Sequence, residues 1–291
     1  MIDSKSNFSF KMMIHTCQMV SDKTSLSMHE INNKTYIINH NARLKKRGYL
    51  YPIDVNRLNG IEIDNLTDFL IAIDVIRDDL LIEEWTFDRL DFAFDIMFES
   101  DDIVKYSLFF TTLFSYITGI KNAIAIKDIN THKDKASLIK NPFFEFQVYD
   151  KKLESNNRYP YTRFEFRFKS LKNKDIYSVI ERLQKLLDGI TDIKIQEVEN
   201  QRINDLYTLW QKECQKSCVT QTKNFSEFVR RYSNSIITRN IAKGLYNKIC
   251  TGNFNSWLKK FRRNNEIYFI TKSEIKNIAR EMKIALNSYL K

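Results

Sequence analysis

Three stretches of this 291-residue chain alternate apolar and polar residues with a period of two, and that alternation restricts the fold more than any other feature. Within 89–96, Phe92, Phe94 and Ile96 fall on one side of a strand and Asp91 and Asp95 on the other, with Ala93 between the carboxylates. Within 142–151, Phe144, Phe146 and Val148 oppose Glu145, Gln147 and Tyr149. Within 161–169, Phe164, Phe166 and Phe168 oppose Arg163, Glu165 and Arg167. Strands of this kind build a sheet with one aromatic face, which helices must cover, and one charged face open to a polar occupant. Ser155, Asn156, Asn157 and Pro160 supply turn chemistry between the last two, so these are expected to pair as a hairpin.

Helical spacing supplies the covering layer. Leu66, Phe69, Leu70 and Ile73 mark a helix in 65–75, and 101–118 reads as a second one rich in Phe and Leu. Residues 174–188 place apolar side chains at 176, 179, 180, 183, 186 and 187 and stop at Gly189. Before residue 60 the pattern predicts only short strands and turns, with 34–38 strand-like and 47–52 a turn leading into extended chain. Beyond 195 strand signals fade, while Asn224 with Glu227 and Thr271 with Glu274 fit capping-box helix starts. The expected class is therefore α+β: an antiparallel or mixed sheet with helices on its apolar face, followed by a basic, mostly helical C-terminal region. Residues 1–192 and 193–291 are the expected domains, although 6 Gly and 3 Pro in the whole chain leave no linker signature at the boundary.

Charge is divided just as unevenly. Residues 201–291 hold 18 Lys and Arg against 6 Asp and Glu, whereas the first 200 hold 28 against 30. A polyanion such as nucleic acid would be drawn to that last third, through charge neutralisation and counterion release. A merely basic helical tail would show the same composition. Arg230, Arg231, Arg239, Lys243, Lys259, Lys260, Arg262 and Arg263 are the expected phosphate contacts, and helices within 225–249 or 271–290 are candidates to enter a major groove. Polar residues interrupt the most apolar stretch, 104–126, so it reads as a buried helix and a following strand, not a membrane span. The first residues are polar with no leader pattern, which predicts a cytoplasmic protein with no membrane partner. Cys214 and Cys218 are four apart, but Cys17 and Cys250 lie far off and complete no zinc pattern.

Clustered carboxylates on a strand face repel one another, and a hard divalent cation, Mg²⁺ or Mn²⁺, offsets that repulsion. Asp91, Asp95 and Glu165 are the candidate ligands if their strands are neighbours, with Glu145 a further one. Salt bridges to Arg163 and Arg167 are the competing reading of the same residues. Tyr177 lies on the helix after the third strand and shares a side with Glu181, Gln184 and Asp188, away from the apolar stripe. A phenol there suits nucleophilic attack on phosphorus, with Arg167, Lys172 and Lys174 stabilising charge on the phosphoryl oxygens. Arg163 and Lys172 extend the same basic surface toward DNA.

These segments also resemble a known family. Residues 163–169 (RFEFRFK) followed by Tyr177 on an amphipathic helix resemble the active-tyrosine segment of rolling-circle replication initiators of Gram-positive plasmids, the replication-initiation-factor (Rep_trans) family, which includes relaxases of some conjugative elements. Residues 148–152 (VYDKK) look like its "YDK" strand end, and 89–95 (RLDFAFD) are similar to its "RIDLxxD" strand. The resemblance covers roughly 85–190. It implies an enzyme whose tyrosine, matched by Tyr177, attacks origin DNA to leave a 5′-phosphotyrosyl link and a free 3′-hydroxyl. It also implies a divalent metal on acidic strand residues, matched by Asp91, Asp95 and Glu165, and a C-terminal part that helps recognise the origin. Double-stranded origin DNA, single-stranded nick-site DNA, a host helicase and a second copy of the chain are the partners such a protein would have. A non-enzymatic DNA-binding initiator or repressor is the alternative. The gap from the "RFE" strand to the tyrosine is a couple of residues longer than in the family. His15, His29, His40 and His132 are scattered, so the metal is expected to rest on carboxylates, and nothing before residue 60 matches a family motif.

Overall fold

A computed structural model describes residues 10–45, 48–58, 60–96, 103–120, 123–127, 134–151, 161–171, 174–216, 224–233, 235–264 and 269–291. Its centre is an antiparallel sheet of eight strands: β1 (Phe10–Ser21), β2 (Arg43–Lys45), β3 (Gly48–Asp54), β4 (Thr86–Ile96), β5 (Ala123–Lys127), β6 (Asp134–Lys140), β7 (Phe144–Asp150) and β8 (Thr162–Lys169). They lie in the order β2-β3-β1-β4-β8-β7-β6-β5. The protein is α+β, as its alternating strands require. Strands β7 and β8 pair antiparallel with Phe146 opposite Phe166, so the expected hairpin partners are neighbours.

The helices are α1 (Met28–Asn32), α2 (Leu66–Asp79), α3 (Ile103–Thr118), α4 (Ile176–Asp188), α5 (Asp192–Lys216), α6 (Phe225–Arg231), α7 (Arg239–Ile249), α8 (Phe254–Asn264) and α9 (Lys272–Tyr289). Asp175 caps α4 by accepting from the Ser178 backbone N–H at 2.7 Å. The helix then buries Ile176, Val179, Ile180, Leu183 and Leu187, as its spacing predicts. The capping box of Thr271 and Glu274 forms at the start of α9. Asn224 caps α6 through the Ser226 N–H.

Phenylalanine rings fill the space under the sheet. Phe92 meets Phe168 edge-on at 5.8 Å and Phe94 meets Phe166 at 5.7 Å across the β4–β8 pair. From α3, Phe114 packs on Phe146 at 4.6 Å and on Phe166 at 5.2 Å, and Phe110 on Phe164 at 5.4 Å. Each such pair adds about 0.5–1.5 kcal/mol beyond the area it buries.

The strand β1 extends through a region whose pattern predicts only short strands. It lies between β3 and β4, and a register shift between Ile14 and Thr16 inserts one extra residue opposite β4. The C-terminal third divides differently from the expected boundary at 192. A second core gathers Leu206, Phe225, Phe228, Ile241, Leu245 and Phe261 from α5 to α8. The last helix, α9, instead buries Ile275, Ile278, Met282, Ala285, Leu286 and Tyr289 in the core beneath the sheet. Residues 193–291 are thus not one separate block. Among the described residues no helix is long and apolar enough to cross a membrane.

Candidate metal centre and nucleic-acid cleft

The polar face of the sheet forms the floor of a cleft of about 970 Å³. The alternation of β4 and β8 sets Asp91 opposite Arg167, Ala93 opposite Glu165 and Asp95 opposite Arg163. Ala93, with its single methyl, leaves room between the larger polar groups. On β1, Met12 and Ile14 point into the core and so do Cys17 and Met19, which makes His15 and Thr16 the residues of the bulge. His15 continues the outward phase of Lys11 and Met13 onto the polar face, and after the extra residue Thr16 and Gln18 take that face over.

There one ligand atom each from His15, Asp91 and Glu165 lies within 4.8 Å of the others. Such spacing suits donors arranged around one ion. His15 Nε2 is 3.3 Å from Glu165 Oε2, and Nδ1 contacts the Thr16 hydroxyl at 2.5 Å, a contact that orients the ring. The Tyr149 hydroxyl donates to Glu165 Oε2 at 2.7 Å, and Arg167 donates to Oε1. Arg89 grips both oxygens of Asp91, through Nε at 2.7 Å and through a second guanidinium nitrogen. Two hard carboxylates and one imidazole match a divalent ion, and the imidazole favours Mn²⁺ over Mg²⁺ within that class.

Both acids are almost fully buried, yet their proton affinities diverge. Burial raises the pKa of Asp91, and the repulsion of Glu165 adds to it, against the opposing pull of Arg89. Burial pushes Glu165 upward too, but His15, Arg167 and Tyr149 outweigh it and hold Glu165 well below the usual carboxylate range. Arg167 stays firmly protonated, because its three carboxylate neighbours overcome its own burial. Carboxylates and an imidazole framed by guanidinium groups offer ligands to a cation and donors to a phosphodiester side by side.

Of the expected ligands, the structure brings Asp91 and Glu165 together. Asp95 shares their face, but both its oxygens accept from Arg163, each at 2.6 Å. Glu145 is engaged by Arg167 at 2.6 Å and by Lys169 at 3.1 Å. His15 was outside the expected set. Tyr177 stands in the first turn of α4, 60% exposed, on the helix that covers the aromatic face, and it is not among the residues lining the cleft. Lys174 is exposed just before α4, and Lys172 lies outside the described residues. Farther along, Arg231 pairs with Glu213 at 3.3 Å and with Glu227 at 3.5 Å. Arg230 is exposed on the same helix, and Lys243 lines a small groove with Glu199 and Asn240. Arg239, Lys259, Arg262 and Arg263 line one pocket, beside which Lys260 is exposed.

No known family model matches the chain, and no curated protein does. Similar chains occur among solved structures. A rolling-circle replication initiator protein from Geobacillus stearothermophilus matches 62% of this chain and 80% of its own, at 11% identity and a TM-score of 0.32. A likeness that distant leaves the functional reading to the residues of the cleft.

Proposed function

We propose that this chain is a replication initiator of a plasmid or other mobile element, which nicks one DNA strand by metal-dependent tyrosine transesterification. The observation that carries this reading is the convergence of His15, Asp91 and Glu165 on the floor of a cleft whose other charged side chains include Arg89, Arg163 and Arg167. A bound Mg²⁺ or Mn²⁺ ion would polarise the phosphoryl group and neutralise charge there. The guanidinium of Arg167 faces that same position and would stabilise the phosphorane oxygens, while Lys11 and Lys151 along the cleft would hold flanking phosphates.

By motif order the nucleophile would be Tyr177, although its helix covers the face of the sheet opposite the cleft. Its phenol oxygen would form a bond to phosphorus as the bond from phosphorus to the 3′ oxygen breaks. The phenol proton leaves to a base and the 3′ oxygen takes one up, which gives a 5′-phosphotyrosyl link and a 3′-hydroxyl able to prime synthesis. Position favours a second phenol, since Tyr149 already touches Glu165 inside the cleft. The non-enzymatic reading would leave the acidic cluster purely structural.

Labelled single-stranded oligonucleotides tiling the element's origin, incubated with Mn²⁺ or with EDTA, test the reading. A metal-dependent covalent adduct that is lost in Tyr177→Phe is the expected result. An adduct that survives in Tyr177→Phe and disappears in Tyr149→Phe keeps the chemistry and moves the nucleophile. No adduct on any origin strand refutes the enzyme.

A further inference from the structure

Helices α7 and α8 are joined by four residues, 250–253, which place Gly252 at φ 139°. Asn253 restarts the chain as a helix cap, its side-chain oxygen accepting from the Ser256 N–H at 3.1 Å. Two helices of eleven residues across so short a turn have the form of a helix-turn-helix. Two strand-like residues brace it: Thr238, which caps α7, bridges Ile270, just before α9. The second helix buries Phe254, Leu258 and Phe261, and Trp257 lies against Phe225 at 4.9 Å and Phe261 at 4.8 Å. Its outward side carries Asn255, Ser256, Lys259, Lys260, Arg262 and Arg263, all exposed.

The surface has an unusual electrostatic state. Helix α8 contains no acidic residue, and among the described residues Lys259, Lys260, Arg262 and Arg263 make no ion pair. On α6, by contrast, Arg231 is tied to Glu213 and Glu227. Helix α9 buries one side in the sheet core, and the cations of its outer side are paired, Lys276 with Asp192, Arg280 with Glu281 and Lys283 with Asp188. Arg239, at the start of α7, donates to Asn255 at 3.1 Å and forms with Lys259, Arg262 and Arg263 the wall of a pocket of about 430 Å³. Among the described residues, four cations stand together on this narrow helix with no acidic partner, a surface that attracts an anionic partner of matching shape.

We propose that α8 is a recognition helix that enters the major groove of duplex DNA. Asn255, Ser256 and Lys259, toward its N-terminal end, face base edges, while Arg239, Lys260, Arg262 and Arg263 hold the phosphates on either side. A duplex is favoured over a single strand because every ring of α8 is turned inward, so its outer face offers no stacking platform for unpaired bases. The eleven residues of α8 span roughly 16 Å, and the major groove, about 12 Å wide, admits one helix of that kind. This surface works whether or not the sheet cleft cuts DNA, and it assigns duplex reading to a part of the chain that the cleft does not use.

The test uses the full chain to select from a random pool of duplexes, then measures fluorescence anisotropy on the selected duplex, on a scrambled duplex and on the selected sequence as a single strand. Asn255→Ala and Lys259→Ala are expected to weaken the selected duplex about tenfold and the scrambled one far less. Lys260→Ala with Arg263→Ala should weaken both duplexes alike and lower the salt slope by about two. Lys185→Ala with Lys212→Ala removes the same charge elsewhere and should change nothing. Selection that enriches no duplex, equal binding of the single strand, or equal losses in the two charge-removal doubles would each overturn the proposal. Matching thermal melts for all variants separate a lost contact from a lost fold.

Discussion

The pairing of Asp95 with Arg163 makes one prediction about how the cleft is built. Both contacts are 2.6 Å, and the two side chains are 5% and 9% exposed. Replacing one partner leaves the other charge buried and uncompensated, at a cost of about 3–5 kcal/mol, whereas replacing both with apolar residues of similar volume is close to neutral. A chain of 291 residues unfolds with an entropy of roughly 0.6 kcal/mol/K, so Asp95→Leu or Arg163→Met alone should lower Tm by about 5–8 °C. The double variant should recover most of that loss. Scanning calorimetry on the four proteins of the cycle gives the coupling, and calorimetric titration with Mn²⁺ shows whether binding persists. Metal binding should survive in the double variant, because Asp95 braces the floor next to the cluster and is not one of its ligands. Single variants that each cost under 1 kcal/mol, or a double variant that is stable but no longer binds Mn²⁺, would refute this reasoning.

Three other outcomes follow from the same structure. Mn²⁺ at a hundredfold excess over its dissociation constant should stabilise the protein by about 2.7 kcal/mol, or about 4 °C in Tm, and differential scanning fluorimetry should show that His15→Ala loses the shift. Gly48→Ala should cost about 1–3 kcal/mol by urea denaturation, since Gly48 sits at φ 102° and an added Cβ would lie 2.3 Å from the Ser21 carbonyl oxygen. A chain truncated after residue 192 should show no cooperative melt by circular dichroism. It loses the six core side chains of α9, each worth about 1.5–3 kcal/mol of burial, against a total stability of roughly 5–15 kcal/mol.

The parts of the fold that were legible in the sequence share one property, an unbroken period. Strands β4, β7 and β8 keep their aromatic residues in phase from end to end, so their faces and their carboxylates could be assigned without a structure. Strand β1 hides because its period slips. Met12 and Ile14 are buried at even positions and Cys17 and Met19 at odd ones, so a scan for strict alternation finds two fragments too short to trust. That change of phase was the available signal for both the bulge and His15. Strand β6 has no clear alternation to read. The charged face raised a different difficulty. Periodicity placed Asp91, Asp95, Glu145 and Glu165 on one side, where each meets an arginine, but which of them also come within reach of one another depends on cross-strand register, and no local pattern encodes that. The helix α9 was legible through its capping box and apolar stripe, yet a stripe says only that a face is buried and not against what.

The destination of α9 links the two halves of the molecule physically. Ile236 and Phe269 lie in the helical core, while their chain neighbours Ile237 and Ile270 lie in the core under the sheet. The chain therefore crosses from one core to the other twice at one place, where Ile270 donates to the Ile237 carbonyl at 3.1 Å and accepts from the Arg239 N–H at 3.1 Å. Arg239 opens the helix-turn-helix, and Ile270 leads into the helix that packs beneath β1, the strand whose bulge presents His15. The basic face of α8 and the charged floor of the cleft therefore belong to two cores that meet at this double crossing.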